Sequence, residues 1–299
     1  RFRSWGFDLQ RYLPPTLGWS LWALAVAALI PAVGATLARA AAPAGRGLLG
    51  HGVWAGAIAA AVGAALVLLL PDRTWFLGDF QLRQRAIEQG MFDAVLPQSL
   101  PLDAFLHYHL PRWLQQQAGW PTALYARGLG ALEAALFAAL GVAFVRRLPS
   151  GEAAAAAPWL TLAIVLGAPL AVFTGFPKTT ADQCVLALAL IVAGLRLARE
   201  ARGHLGFGLL LAVALLDHRG ALVFLPAAVW VWWRCLARRD GAARIALAAL
   251  PPLVTLVALA SRLRTIVATY DVPMHLRPGA GAGHVLDLAN AVLLAAPLV

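Results

Sequence analysis

The chain has 299 residues, of which 61% are hydrophobic and only 13% charged. A soluble globular domain carries roughly 25% charged residues, so this chain cannot cover a water-facing surface and must use lipid as its solvent. The net charge of +10 does not point to nucleic acid, because the arginines cluster between apolar runs, as they do on one side of a membrane protein. The expected partners are membrane lipids and membrane proteins of a larger complex, with no nucleic acid.

The first fifteen residues interleave Phe2, Trp5, Phe7 and Tyr12 with Arg3, Asp8 and Arg11, the pattern of a segment at headgroup level. Apolar runs then follow at Leu17–Ala38, Leu48–Leu70, Thr122–Val145, Ala153–Phe176, Thr179–Leu197, Leu205–Leu216, Ala221–Trp233, Ala242–Ala260 and Val285–Val299. A helical span needs about 20 such residues. The expected fold is therefore all-α: one polytopic transmembrane helix bundle of about nine spans over residues 1–299. The last run is cut off at Val299 and the chain starts at Arg1, as a piece of a longer protein would. Pro251-Pro252 should kink the eighth span.

Basic residues set the orientation. Arg39 and Arg46; Arg146 and Arg147; Arg196, Arg199 and Arg202; and Arg234, Arg238, Arg239 and Arg244 fall in alternate connections, hence on one side, which is expected to be cytoplasmic. The long connections, residues 71–121 and 261–284, are then extracytoplasmic. An integral protein of a bacterial inner membrane is the expected location. The two cysteines, Cys184 and Cys235, fall near opposite faces, beyond the ~7 Å between Cα atoms that a disulfide allows.

The first long connection is patterned as structure. Phe80, Ile87 and Met91 recur at helical spacing, and Leu102, Phe105, Leu106, Leu110 and Trp113 repeat the theme up to a break expected at Pro111. Both read as amphipathic helices on the outer leaflet. The run Leu205–Leu216 makes only about 18 Å of helix against a hydrocarbon core of about 30 Å. The polar sequence Asp217-His218-Arg219 after it should lie below the membrane surface, where charges need a cavity or partners.

Asp79, at the head of the long connection, could act as a general base or simply cap the following helix. Asp103 and His107 are four apart and share a helical face with each other but not with His109; they could orient an imidazole for proton transfer, hold a divalent cation, or merely face headgroups. No cofactor is otherwise called for. Lys178 and Arg219 are the basic residues of the short outer connections and could bind a phosphate or anchor in headgroups. Glu133, in mid-span, is a functional candidate by default, as the partner of an arginine on another helix or as a proton site.

Leu77-Gly78-Asp79-Phe80 at the head of a long outer loop with surface helices, and Asp217-His218-Arg219 followed by residues 221–226, resemble the GT-C superfamily of membrane glycosyltransferases, which includes protein mannosyltransferase-like and aminoarabinose transferase-like branches. The resemblance covers about residues 74–226. It implies transfer of a sugar from a polyprenyl-phosphate-linked donor to an acceptor on the extracytoplasmic face, with Asp79 in the catalytic position and Asp103, His107, His109, Lys178, Asp217, His218 and Arg219 around the substrates. In that superfamily the catalytic loop follows the first span, whereas here it follows the second, and Phe80 stands where a second acidic residue would. Two other functions fit the residues: a transporter built on Glu133 and the interrupted helix near Asp217, and a non-catalytic assembly subunit.

Overall fold

A computed structural model of the chain describes residues 15–28, 30–69, 80–91, 99–148, 152–166, 179–238 and 241–270. Helices joined by short turns account for these residues, with no strand among them. The helices are α1 (Pro15–Ala28), α2 (Pro31–Gly50), α3 (Ala55–Leu69), α4 (Phe80–Gln89), α5 (Pro101–Ala104), α6 (Leu110–Ala118), α7 (Thr122–Val145), α8 (Glu152–Leu166), α9 (Thr179–Glu200), α10 (His204–Asp217), α11 (Leu225–Ala237) and α12 (Ala242–Tyr270). Among them, Gly52–Leu69, Thr122–Val145, Ala181–Glu200, Arg219–Ala237 and Ala242–Ile266 are long and apolar enough to cross a membrane, while Ala156–Leu166 and His204–Asp217 are apolar but shorter. The chain is a polytopic helical membrane protein. The expected run Val285–Val299 lies outside the described residues, as do residues 167–176 of the fourth run.

Three boundaries differ from those expected. Arg39 and Arg46 do not end a span; both lie inside α2, and the chain breaks instead before Pro31 and at Gly52, whose φ is +57°. Proline fits the first turn of a helix and glycine fits a left-handed step, whereas an exposed arginine can stay helical by bonding its own helix. Arg39 donates to the carbonyl of Ala35 at 3.3 Å. The α12 helix runs unbroken through Pro251-Pro252 and past Ala260 to Tyr270. Its extension carries buried Leu259 and Ile266 with Leu263 beside them, an i, i+4, i+7 stripe that gives the helix a reason to continue. Finally, the second loop helix does not break at Pro111. Residues Phe105–His109 form a π turn between α5 and α6, and the Leu110 amide bonds the carbonyl of Phe105. That widened turn makes room for a proline ring that would otherwise clash with the carbonyl four residues back.

Small residues bring the spans close. A Cβ on Gly63 of α3 would sit 2.8 Å from the Ala134 carbonyl oxygen of α7, and one on Gly208 of α10 would sit 1.8 Å from that of Ala248 in α12. These are backbone-on-backbone contacts of the kind that hold helices together in lipid, where no hydrophobic drive operates between them. A leucine-rich core of α9, α10 and α11, built on Leu190, Leu197, Phe207, Leu211 and Leu215, forms one side of the bundle. The other side packs α3, α7 and α8 through Ala55, Ala59, Ala138, Val142 and Val165.

Side-chain contacts give the helix directions. At one face, the start of α3 meets the end of α7 through Arg146, which donates to the carbonyls of Leu49 and Gly52. Arg199 at the end of α9 donates to the carbonyl of Arg147, and Arg238 beyond α11 donates to those of Ala198 and Leu197. At the opposite face, Arg127 near the start of α7 donates to the Leu68 carbonyl at the end of α3. The arginine clusters 146/147, 199 and 238 thus share one face, and the loop residues 80–91 and 99–118 lie at the other.

Candidate functional site

The site forms because α10 is too short. Its 14 residues rise about 21 Å, less than a hydrocarbon core of about 30 Å. The adjacent α12 has 29 residues and runs on beyond it. The step below the end of α10 is filled by the loop: Leu100 packs on Leu259 and Ile266 with Leu216 alongside, and Ser99 and Asp103 are buried next to it. Long-loop residues are thus folded into the bundle instead of lying on its surface.

The loop helices are tied to each other as well. Ala86 and Ile87 of α4 are buried against Ala104 and Tyr108. Gly90, with φ +67°, ends α4 in a Schellman cap, its own amide bonding the Ile87 carbonyl and that of Met91 bonding the Ala86 carbonyl. Arg112 donates to the Tyr108 hydroxyl at 2.5 Å and lies over its ring. The Tyr125 hydroxyl of α7 donates to the carbonyl of Leu106 at 2.8 Å, which fixes the π turn onto a span.

On that turn His107 is fully buried, with 0% exposure, and Asp103 is 2% exposed. His107 Nε2 lies 2.5 Å from Oδ2 of Asp182, in the first turn of α9. The expected partner Asp103 is only at 4.0 Å. Nδ1 of His107 is buried with no hydrogen-bond partner among the described residues. With the proton on Nε2 held by the Asp182 carboxylate, Nδ1 presents the lone pair. This is the arrangement by which a carboxylate fixes an imidazole tautomer.

The polar interior continues beyond this pair. Glu133, 5% exposed, sits in the middle of the 24-residue α7, about 17 Å from either end. Its side chain lies beside that of Asp182, and among the described residues no arginine pairs with it. The end of α10 contributes Asp217, which is fully buried and accepts from Gln183 Nε2 at 2.6 Å. Gln183 also reaches the Ala214 carbonyl at 3.4 Å. Asp103, His107, Asp182, Glu133 and Asp217, all buried, together with the half-buried Gln183, therefore place polar side chains of the loop and three helices inside an apolar bundle. Groups of this kind within a membrane are costly and mark functional sites. Among the described residues no group of three or more His, Cys, Asp or Glu has the geometry of a metal site.

The structure separates residues that are adjacent in sequence. His109 is exposed and packs edge-on against the Tyr108 ring at 5.0 Å. After Asp217 the backbone extends at His218, whose Nδ1 accepts from the amide of Gly220 at 3.0 Å and so caps the 3-10 turn Arg219–Phe224. Arg219 is exposed at the loop face. Asp79 and Lys178 lie outside the described residues; Asp79 immediately precedes α4. Asp182 and Gln183 were not singled out by sequence. The signal for them is an acid and an amide side by side at the start of a helix that is then apolar from Cys184 to Leu195.

Fold and cluster together define a class: a polytopic helical membrane protein with a loop docked into its interior by buried polar groups. No family model matches the chain, and neither a curated protein nor a solved structure matches it.

Proposed function

We propose that this protein is a membrane glycosyltransferase of the GT-C kind, an integral protein of the bacterial inner membrane with about nine spans that moves a sugar from a polyprenyl-phosphate donor to an acceptor on the extracytoplasmic face. The supporting observation is the docking of the loop: α4 begins directly after Asp79, packs on the turn that carries Asp103 and His107, and that turn is bonded to Asp182 inside the bundle. In this reading Asp79 works at the edge of the membrane, where a lipid-linked donor arrives sideways and an acceptor from the aqueous phase. The arginine-rich face is cytoplasmic by the positive-inside rule, which leaves the loop outside.

In this mechanism the Asp79 carboxylate takes the proton of the acceptor hydroxyl. The acceptor oxygen bonds to the anomeric carbon while the bond from that carbon to the lipid phosphate breaks. The phosphate leaves with the electron pair, and its charge is met by Arg219 and Lys178. Asp103, His107 and Asp182 hold the loop in register with the spans.

A second reading is favoured by one observation. Glu133 Oε1 is buried without a hydrogen-bond partner, beside Asp182 and near the end of the short α10, which suits the midplane site of an ion-coupled transporter. Membranes bearing wild type or Asp79→Asn, given radiolabelled polyprenyl-phosphate sugars, decide between them. Transfer by wild type that is lost in a folded, inserted variant supports the transferase. Equal transfer by both removes Asp79 from the mechanism, and absence of transfer by wild type with every donor favours the non-catalytic readings, the assembly subunit and the transporter.

A further inference from the structure

We infer that the groove between α9, α10 and α11 is a binding site for one diacyl anionic phospholipid of the arginine-side leaflet, an acyl chain lying in the groove and the phosphate held by Arg199 and Arg234. This assignment stands apart from the transferase reading, since the groove opens at the face opposite the loop.

The groove encloses about 420 Å³ and is lined by apolar side chains such as Leu190, Leu195, Phe207 and Leu211, with Arg199 and Arg234 as its charged residues and no acid among them. Along α9 it runs from Ala187 to Arg199, about 18 Å of helix, close to one leaflet of a hydrocarbon core of about 30 Å. Its depth comes from Gly194, whose missing side chain leaves Phe207 and Val231 as the floor: a Cβ there would stand 3.4 Å and 3.9 Å from them. A partner's span would follow the whole core of about 30 Å, whereas the groove stops after about one leaflet, so it suits a lipid chain.

The charged end is built at headgroup level. Trp230 and Trp233 are exposed on α11 just before Arg234, and tryptophans mark the membrane interface. Arg234 lies over the Trp230 ring at 5.5 Å. Arg199 spends one N–H on the Arg147 carbonyl, and four of the five donors of a guanidinium are then left for a phosphate. The acid next in sequence, Glu200, is occupied by Arg196 at 3.5 Å. Arg199 is held on the end of α7 and Arg234 rests on the Trp230 ring, so both positions are set before any lipid arrives.

Native mass spectrometry of the full chain in detergent, incubated with equal phosphatidylglycerol and phosphatidylcholine, tests the assignment. Wild type should retain one phosphatidylglycerol in preference by roughly tenfold or more, from about 1 kcal/mol for each arginine at the surface. The double variant Arg199→Gln/Arg234→Gln should lose that preference, and Gly194→Leu should retain neither lipid. The arginines are exposed, so the double variant decides the question even if Gly194→Leu fails to fold. An undiminished preference in the double variant overturns the assignment, as does displacement of phosphatidylglycerol from wild type by a polyprenyl phosphate.

Discussion

The two faces of this bundle solve one problem in two ways. Every helix end leaves carbonyls or amides without intrahelical partners, and at a membrane boundary those groups must still be satisfied. At the arginine face, long cationic side chains reach across to neighbouring helix ends: Arg146 to Leu49 and Gly52, Arg199 to Arg147, Arg238 to Leu197 and Ala198. Those guanidiniums remain exposed, so each contact also keeps its charge in the headgroup region. At the loop face the protein folds over itself. A span stops short, a loop segment fills the step, and polar side chains meet in the interior as His107–Asp182, Glu133–Asp182 and Gln183–Asp217. The first face is a set of nearly independent caps, while the second gathers its polar pairs around Asp182 and Gln183 of α9, which is where function is expected to concentrate.

That contrast is sharpest for substitutions that remove one partner. Replacing His107 with Ala should destabilise the protein by ~3 kcal/mol, because a carboxylate is left buried without its imidazole. Thermal unfolding in detergent should show the loss, together with faster proteolysis within residues 80–118. An unchanged melting temperature would mean that the loop is held by apolar packing alone.

Between the faces, the close approach of α10 and α12 should be nearly as sensitive. Gly208→Ala places a methyl group on the Ala248 carbonyl and should cost about 2–3 kcal/mol through forced separation. Two residues earlier, a Cβ on Gly206 would meet nothing within 4 Å, so Gly206→Ala should leave stability unchanged or raise it by up to ~1 kcal/mol from helix propensity. Equal effects at both positions, followed by the same unfolding measurement, would break the claim that α10 is seated by backbone contact.

At the arginine face Arg238→Gln should lose only ~1 kcal/mol, since it removes an exposed charge–dipole contact and hydrogen bonds that water can partly replace. A loss as large as that of His107→Ala would erase the distinction between the faces.

The sequence makes one part of this contrast easy to read. Apolar runs and arginine clusters announce spans and a face directly, and the alternation of Leu102, Phe105, Leu106, Leu110 and Trp113 announces a loop helix. What it hides is partnership. A period of 3.6 residues places Asp103 and His107 on one face, but the imidazole turns to Asp182, 75 positions away, because the length of α10 decides how far the loop sinks. Similarly, Glu133 meets Asp182 and not an arginine. Arg39 and Arg46 mislead as span ends because charge marks where a side chain goes, not where a helix stops; Pro31 and Gly52 set the stops.

The most direct test of a two-faced bundle is labelling of single cysteines in intact cells with a membrane-impermeant maleimide, in a background with Cys184 and Cys235 replaced. His109→Cys and Arg219→Cys should label without permeabilisation, and Arg234→Cys and Arg146→Cys only after it. Labelling of all four from the same side would contradict the account.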